Sequence, residues 1–249
     1  MHRVLDAQNQ YSFAPRLCAL AIMTKAPRAG TVKTRLQPLL TGEEAAQLNI
    51  SFLRDIAAAI SGAGGQSKGI GVFTPAGSER DYVDVLPLDF DLMLQHGDTF
   101  GERLRNAAAD LLHVGFDSCC LINSDSPTVT ADVFREAVKE LQGSDNRIVL
   151  GPSDDGGYYL IGMRSLYSRL FEEIDWSTER VFAQTVHRAE ELGLSVHVLP
   201  TFYDVDDAKA LHRLCADLLE QNGIAPATRK FLGGIVTREG RGRFLPSAV

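Results

Sequence analysis

Residues 17–36 read LCALAIMTKAPRAGTVKTRL, and this stretch decides the class of fold. Its first seven residues are all apolar and have the length of one buried β-strand. The loop that follows contains Gly30 and four basic side chains, Lys25, Arg28, Lys33 and Arg35. A fully apolar strand that leads into a basic, glycine-containing loop is typical of a parallel sheet, whose ligand-binding loops follow the carboxyl ends of its strands.

The alternation of apolar runs and amphipathic stretches continues along the chain. Further strands are predicted at residues 70–73, 91–95, 119–122, 147–150, 158–163 and 195–199. Helices are predicted at 41–60, 99–114, 131–141, 178–192 and 206–221, with a short one at 78–85. This order predicts one α/β domain with a mostly parallel, mixed sheet between helices. We place the domain at residues 16–234, between a loose N-terminal arm (1–15) and a C-terminal tail (235–249).

The composition of the 249 residues excludes several classes of protein. With 45% hydrophobic and 23% charged residues, the chain has the composition of a globular protein and not of a disordered one. No apolar run approaches the roughly 20 residues of a membrane span, and the N-terminus has no signal-peptide core, so we expect a cytoplasmic protein. A net charge of −7 argues against a nucleic-acid partner. The four cysteines lack C-x-x-C spacing and are expected in the core, in reduced form.

Basic residues are concentrated near the N-terminus. Between Ala7 and Gly42 the chain has no Asp or Glu but five cations, Arg16, Lys25, Arg28, Lys33 and Arg35. Forked Arg donors, compact Lys charges and a glycine that permits close approach would suit a di- or triphosphate. The loop is not a Walker A motif, because Val32 and not Gly precedes Lys33, and the chain has no G-x-G-x-x-G. The alternative interpretation is a solvated basic loop.

Carboxylates follow two of the predicted strands. Asp125 ends the strand in LINSDSP (121–127), and Asp204 and Asp206 follow the strand at 195–199. A carboxylate in the same crevice as a phosphate calls for a divalent cation between them, and Mg²⁺ takes one or two carboxylates together with phosphate oxygens. The alternatives are an ordinary S-D-S-P turn at Asp125 and a helix cap at Asp206 or Asp207, but a cap does not require Asp204.

Two glycine-containing segments are further candidates. GPSDDGGYYL (151–160) is either a hairpin turn or a place where substrate lies against the backbone of Gly156 and Gly157, beside Asp155. HGDTFGERLRN (96–106) contains Gly101 at a predicted helix start, where a capping role of Asp98 or Thr99 explains most of the pattern.

The motifs resemble a known family when they are taken in order. KAPRAGTVKTRL, GDTFGERLRNA, NSDSP, GPSDDGGYYLIGM, IDWST, DVDDAKAL and APATRKFL occur between residues 17 and 232. This series is similar to small bacterial glycosyltransferase-like proteins, associated with radical-SAM or arsenosugar gene sets, of the nucleotide-diphospho-sugar transferase superfamily. More distantly, it resembles guanylyltransferases that act on phospholactate or molybdopterin.

The resemblance implies a Rossmann-like, A-type glycosyltransferase fold with a seven-stranded mixed sheet and one nucleotide site. It implies nucleotide and phosphate binding by the basic loop and the helix start, through Lys25, Arg28, Gly30, Lys33, Arg35 and Gly101. It implies a metal site of Asp125 with Asp204 or Asp206, Asp155 as the residue that orients or deprotonates the acceptor, and an acceptor side formed by Gly156, Gly157 and Tyr158. The acceptor pocket is expected to include Tyr158, Trp176 and the connection at 164–180, although Trp176 is equally well explained as core.

We therefore predict a Mg²⁺- or Mn²⁺-dependent transferase that uses a nucleotide-activated donor and a small-molecule acceptor. A nucleotide sugar as donor makes it a glycosyltransferase, and a nucleoside triphosphate makes it a nucleotidyltransferase that releases pyrophosphate. A non-catalytic nucleotide-binding module is the alternative of another class. The sequence leaves open the acceptor, the sugar and base, the oligomeric state, and the choice between Asp204 and Asp206.

Overall fold

An eight-stranded mixed sheet forms the centre of the computed structural model, which describes residues 1–37, 39–143, 146–220 and 223–244. The strands are β1 (Val4–Leu5), β2 (Cys18–Lys25), β3 (Ser67–Thr74), β4 (Asp91–Leu94), β5 (Ser118–Ile122), β6 (Arg147–Pro152), β7 (Tyr158–Met163) and β8 (Ser195–Val198). Their order in the sheet is β1-β4-β3-β2-β5-β7-β6-β8. Neighbouring strands are parallel except at β7, which is antiparallel to both β5 and β6. The predicted fold class is confirmed, with one strand more than the resemblance implies.

Helices cover both faces of this sheet. They are α1 (Gly42–Ala63), α2 (Phe100–His113), α3 (Ala131–Gly143), α4 (Val181–Glu191), α5 (Ala208–Glu220) and α6 (Pro226–Glu239). Alternate residues of the fully buried β2 point to opposite faces. Cys18, Leu20 and Ile22 join the core beneath α1 and α3, and Ala19 and Ala21 join the core beneath α2. A third cluster packs α1 against α5 and α6. The four cysteines are free and buried, as predicted.

Local sequence signals explain where the two helices next to the cleft begin. Thr41 and Thr99 each accept a hydrogen bond from the backbone N–H three residues on, and the side chains of Glu44 and Glu102 accept one from the backbone N–H of the capping threonine. Both are capping boxes, so four otherwise unpaired backbone donors are satisfied at these two helix starts. The predicted helix at 78–85 is instead a short 3₁₀ turn at Glu79–Tyr82.

The predicted arm and tail differ from the structure. Residues 1–15 are not loose, because Val4 and Leu5 pair with β4 and the ring of Phe13 stacks on Phe116 at 4.1 Å. A strand of two residues is too short to show a periodic pattern. The boundary at 234 falls inside α6, and Phe244 beyond it is fully buried. Residues 245–249 of the predicted tail lie outside the described residues. No helix of the described residues is long and apolar enough to cross a membrane.

Candidate active site

A cleft of about 760 Å³ opens at the edge of the sheet where β2 and β5 end. Because β7 is antiparallel to β5, its first residue, Tyr158, lies at this same edge. The segments that follow β2, β5 and β8 meet the turn that precedes β7, and all four contribute to the cleft wall. This placement agrees with the general rule that ligands of open α/β sheets bind beyond the carboxyl ends of the strands.

The cleft collects most of the residues that the sequence analysis selected. Its wall includes Lys25, Lys33, Arg35, Asp125, Asp155, Gly157, Tyr158, Asp204 and Asp206. Four other candidates are not in the wall, namely Arg28, Gly30, Gly101 and Gly156. Gly101 and Gly156 pack directly behind wall residues, and their contacts are described below.

The cations of the basic loop have three different surroundings. Lys25 and Arg35 are exposed in the cleft, and no carboxylate of the described residues forms an ion pair with either. Arg28 instead donates from Nε to Oδ2 of Asp81 at 2.7 Å and lies outside the cleft wall. Gly30 turns the loop with a φ of 74° but stays outside the cleft wall. Two cations of the loop are therefore available to an anionic ligand from the cleft.

Lys33 is buried between two carboxylates. Its Nζ lies 2.7 Å from Oδ1 of Asp125 and donates to Oδ1 of Asp206 at 2.9 Å and to the carbonyl oxygen of Val205 at 2.8 Å. The side chain is 4% exposed, and Nζ lies 5.3 Å from the ring centroid of Phe52. Burial acts to lower the pKa of Lys33, but the two carboxylates outweigh it and raise that pKa above its ordinary value. Lys33 therefore carries a permanent positive charge.

Asp204 is held by hydroxyl and amide donors. Its Oδ1 accepts hydrogen bonds from Oγ of Ser126 at 2.5 Å, Nδ2 of Asn123 at 2.7 Å and Oγ of Ser153 at 3.0 Å. Burial, which is the largest cause, and the nearby charge of Asp125 raise the pKa of Asp204 to about 6, although the hydrogen bonds oppose this. No cation of the described residues pairs with Asp204, so its negative charge has no partner within the described part of the protein.

The donor set fits one divalent cation that is shared with a ligand. No group of three or more His, Cys, Asp or Glu side chains with metal-binding geometry occurs among the described residues. Asp125 and Asp204 both line the cleft, however, and each has one carboxylate oxygen, Oδ2, without a hydrogen-bond partner in the described residues. Two carboxylates are the number that Mg²⁺ commonly takes from protein when phosphate oxygens and water complete its coordination. Asp206 is the weaker candidate, because it is bound to Lys33 and 52% exposed.

The turn before β7 presents Asp155 to the cleft. Gly157 donates its backbone N–H to Oδ1 of Asp155 at 2.9 Å. Gly156 has a φ of 87°, and a Cβ at this position would overlap the backbone of Glu179. Only glycine meets both conditions without strain. The segment is therefore a β-hairpin turn and also part of the cleft, so the two interpretations of the sequence are compatible.

An aromatic surface forms part of the cleft wall next to this turn. The ring of Trp176 makes edge-to-face contacts with Phe100 and Tyr158, at centroid distances of 5.2 and 6.4 Å. Gly101 lies directly beneath, where a Cβ would come within 2.5 Å of Nε1 of Trp176. Phe100 is 47% exposed although it is large and apolar. We call Phe100, Tyr158 and Trp176 the aromatic wall.

Sequence reasoning did not select two residues of the cleft wall, Phe100 and Asn123. The wall also contains Ser177, Thr178 and Glu179, which belong to the connection at 164–180 that was expected at the acceptor pocket. Ser177 has a φ of 64°, a conformation that non-glycine residues adopt mainly at turns and functional sites. The motif IDWST (174–178) contains the signal for this segment, but its place beside β7 is a tertiary contact that the motif does not show.

A Rossmann-like mixed sheet with one cleft beyond its strand ends is the architecture of the nucleotide-diphospho-sugar transferase superfamily, and the chain has this fold. Residues 63–178 match the family model described as "Uncharacterized protein conserved in bacteria (DUF2064)". No protein with a curated description matches the chain. These findings confirm the superfamily that the motifs predicted.

Solved structures agree with this placement. A crystal structure from Desulfovibrio desulfuricans G20, of a protein assigned by inference as a nucleotide-diphospho-sugar transferase, has a TM-score of 0.79 and 28% identity and covers 91% of this chain and 99% of its own. A CMP:2-keto-3-deoxy-manno-octonic acid synthetase complexed with CTP has a TM-score of 0.53 and 10% identity and covers 82% and 99%. Rv0371c of Mycobacterium tuberculosis H37Rv, complexed with manganese, has a TM-score of 0.50 and 17% identity and covers 80% and 97%. The last two show the fold alone. The neighbours support the predicted class, a transferase.

Proposed function

We propose that the protein is a divalent-metal-dependent transferase that takes its donor as a nucleotide-activated compound. One observation carries this proposal: the same cleft contains two adjacent carboxylates, Asp125 and Asp204, and two cations, Lys25 and Arg35, that pair with no carboxylate of the described residues. Such a cleft suits a diphosphate that reaches the carboxylates through a shared cation. A manganese complex among the structural neighbours supports a divalent ion, and Mg²⁺ is equally suited to carboxylate and phosphate oxygens.

Each residue has a defined task in this proposal. Lys25 and Arg35 bind the phosphates, and Asp125 and Asp204 hold the divalent ion through their free oxygens. The bound ion supplies charge neutralisation at the diphosphate, which favours departure of the leaving group. Asp155 accepts a hydrogen bond from the acceptor hydroxyl, directs its oxygen toward the donor and takes up the hydroxyl proton as the new bond forms.

The donor that we favour is a nucleotide sugar. In that case the acceptor oxygen attacks the anomeric carbon, and a nucleoside diphosphate leaves. The inferred sugar transferase with 28% identity supports this choice. The alternative is a nucleoside triphosphate, whose α-phosphorus is attacked while pyrophosphate leaves, and the CTP bound to a structural neighbour favours this second candidate. A binding module without catalysis is the least favoured, since all predicted carboxylates of the cleft are present.

The acceptor is proposed to lie against the aromatic wall. Tyr158 follows the turn that carries Asp155, and Glu179 packs against Gly156 in the same turn. A ring that stacks on Trp176 or Phe100 is therefore placed beside the residue that orients the hydroxyl. Covering exposed aromatic side chains with a ligand ring is favourable because it removes apolar surface from water. We therefore expect an acceptor with a flat apolar face.

A product assay tests the proposal. Purified protein is incubated with Mg²⁺ or Mn²⁺, a panel of nucleotide sugars or nucleoside triphosphates, and hydroxylated acceptors, and the released nucleoside diphosphate and pyrophosphate are quantified separately. Release of nucleoside diphosphate supports sugar transfer, and release of pyrophosphate supports the second candidate. Thermal shifts are measured with the same nucleotides, with and without metal. A nucleotide that shifts the melting temperature while no product is released identifies a binding module. If no nucleotide shifts the melting temperature, the proposal is wrong, because a ligand of the native state must stabilise it.

A further inference from the structure

The side chain of Lys33 has no hydrogen-bond donor left for a substrate. An ammonium group has three N–H donors, and three acceptors surround it: Oδ1 of Asp125, Oδ1 of Asp206 and the carbonyl oxygen of Val205. With 4% of its side chain exposed, Lys33 cannot reach further into the cleft without breaking these contacts. It differs in this respect from Lys25 and Arg35, which are exposed.

The backbone also fixes Lys33 in this place. Its φ of 50° is left-handed, and it precedes the 3₁₀ turn Thr34–Leu36, whose Leu36 is fully buried. The two segments that it joins are anchored to each other as well, since the backbone N–H of Val205 donates to the carbonyl oxygen of Asp125 at 2.9 Å. These constraints hold the side chain of Lys33 against the carboxylates before any phosphate binds.

We infer that Lys33 is a resident counter-ion of the active-site carboxylates and not a phosphate ligand. This inference rests on the proposed function for the meaning of the site. Lys33 pairs with Asp206 and with Oδ1 of Asp125, and it leaves Oδ2 of Asp125 and Oδ2 of Asp204, which have no hydrogen-bond partner in the described residues, to face a divalent cation. The ammonium repels that cation, so metal alone binds weakly and metal together with nucleotide phosphates binds well.

Replacement of the ammonium by an uncharged chain tests this inference. Thermal shifts are measured with MnCl₂ alone for the wild type, Lys33→Met and Lys33→Arg. Lys33→Met is expected to respond at a Mn²⁺ concentration at least about tenfold lower than the wild type, because it removes a positive charge that repels the cation from the two carboxylates. Lys33→Arg keeps the charge and is expected to respond like the wild type. Equal responses of Lys33→Met and wild type overturn the inference.

A double variant separates a counter-ion from a phosphate ligand. Lys33→Met lowers nucleotide affinity under either interpretation, because it makes the cleft more negative. Addition of Asp206→Asn restores the net charge, so nucleotide affinity in EDTA and Mn²⁺ affinity are both expected to return to within about threefold of the wild type if Lys33 is a counter-ion. Nucleotide affinity that stays low in the double variant shows a direct phosphate contact and overturns the inference.

A measurement without substitutions covers the case in which Lys33→Met does not fold. Wild-type protein is acetylated with a water-soluble N-hydroxysuccinimide ester, and labelling of each lysine is followed by mass spectrometry. Lys33 is expected to remain unlabelled with or without nucleotide, while Lys25 is labelled and becomes protected by nucleotide. Rapid labelling of Lys33 that nucleotide suppresses overturns the inference. The labelling of Lys33 in the absence of nucleotide and the Mn²⁺ titration do not depend on nucleotide binding. Both therefore test the role of Lys33 as a counter-ion even if the proposed function fails.

Discussion

Gly101→Ala is expected to displace Trp176 and so to damage the aromatic wall. The new Cβ would lie 2.5 Å from Nε1 and 3.0 Å from Cε2 of the indole, and 3.1 Å from the backbone oxygen of Phe171. Because the Phe171 contact is backbone, the strain is relieved mainly by movement of the indole away from α2. Overpacking of this kind costs about 1–3 kcal/mol, and replacement of glycine in a helix returns at most about 1 kcal/mol. The free energy of unfolding should therefore fall by about 1–2 kcal/mol.

Trp176 is the single tryptophan of the chain, so intrinsic fluorescence reports on this site directly. Gly101→Ala should shift the emission toward longer wavelengths and weaken acceptor binding, while urea denaturation gives the loss of stability. The matched control is Gly233→Ala in α6, where the glycine is exposed and a Cβ meets no atom within 4 Å. That variant should gain up to about 1 kcal/mol without a change of emission. If Gly101→Ala behaves like Gly233→Ala, the packing argument for the aromatic wall is refuted.

Three further predictions test other parts of the structure. Asp204 has a folded-state pKa of about 6, above its unfolded value, so in EDTA the free energy of unfolding should fall by about 2–3 kcal/mol as the pH rises from 4 to 6.5. Asp204→Asn should abolish this fall in urea denaturation, and equal falls in both proteins would contradict the raised pKa of Asp204. Asp55 accepts three hydrogen bonds from the first turn of α6, so Asp55→Ala should lower the free energy of unfolding by about 3 kcal/mol. The amides of α6 should then exchange their hydrogens faster, and a loss of stability below about 1 kcal/mol would disprove this capping role. Lys25→Ala should weaken nucleotide binding at least about tenfold by calorimetry, while Arg28→Ala, whose guanidinium is bound to Asp81, should leave it within about twofold. Similar losses of affinity in both variants would show that Arg28 also contacts the nucleotide.

The position of the cleft could be predicted because it depends on patterns that are local in sequence. β2 and β5 are fully apolar runs, and each leads directly into a chemically distinctive segment, the basic loop or LINSDSP. Parallel strands end at the same edge, so the basic loop after β2 and Asp125 after β5 were expected in one crevice, and both line the cleft. The turn at Asp155 follows from the same reasoning after β7 is recognised as antiparallel.

The elements that were missed depend on contacts distant in sequence or on very short segments. β1 has two residues and exists because β4 offers it a free edge. The first turn of α6 is capped by Asp55, which is more than 170 residues earlier in the chain. Pro226 at the first turn was a usable sign of a helix start, and Thr228, Leu232 and Ile235 repeat at helical spacing. The extent of α6 was therefore available from the sequence, while its cap was not.

The different roles of the basic residues follow from the need to keep opposite charges apart before a ligand arrives. A site that binds both phosphate and a divalent cation must expose cations and carboxylates in the same cleft. Without further arrangement, Lys25 and Arg35 would pair with Asp125 or Asp206 and close the site. In the structure Lys33 already pairs with both of those carboxylates and offsets part of their charge, so the exposed cations are attracted to them less strongly. The count of basic residues in the loop is visible in the sequence, but their division depends on the left-handed backbone at Lys33 and on Val205, which lies 172 residues further along the chain.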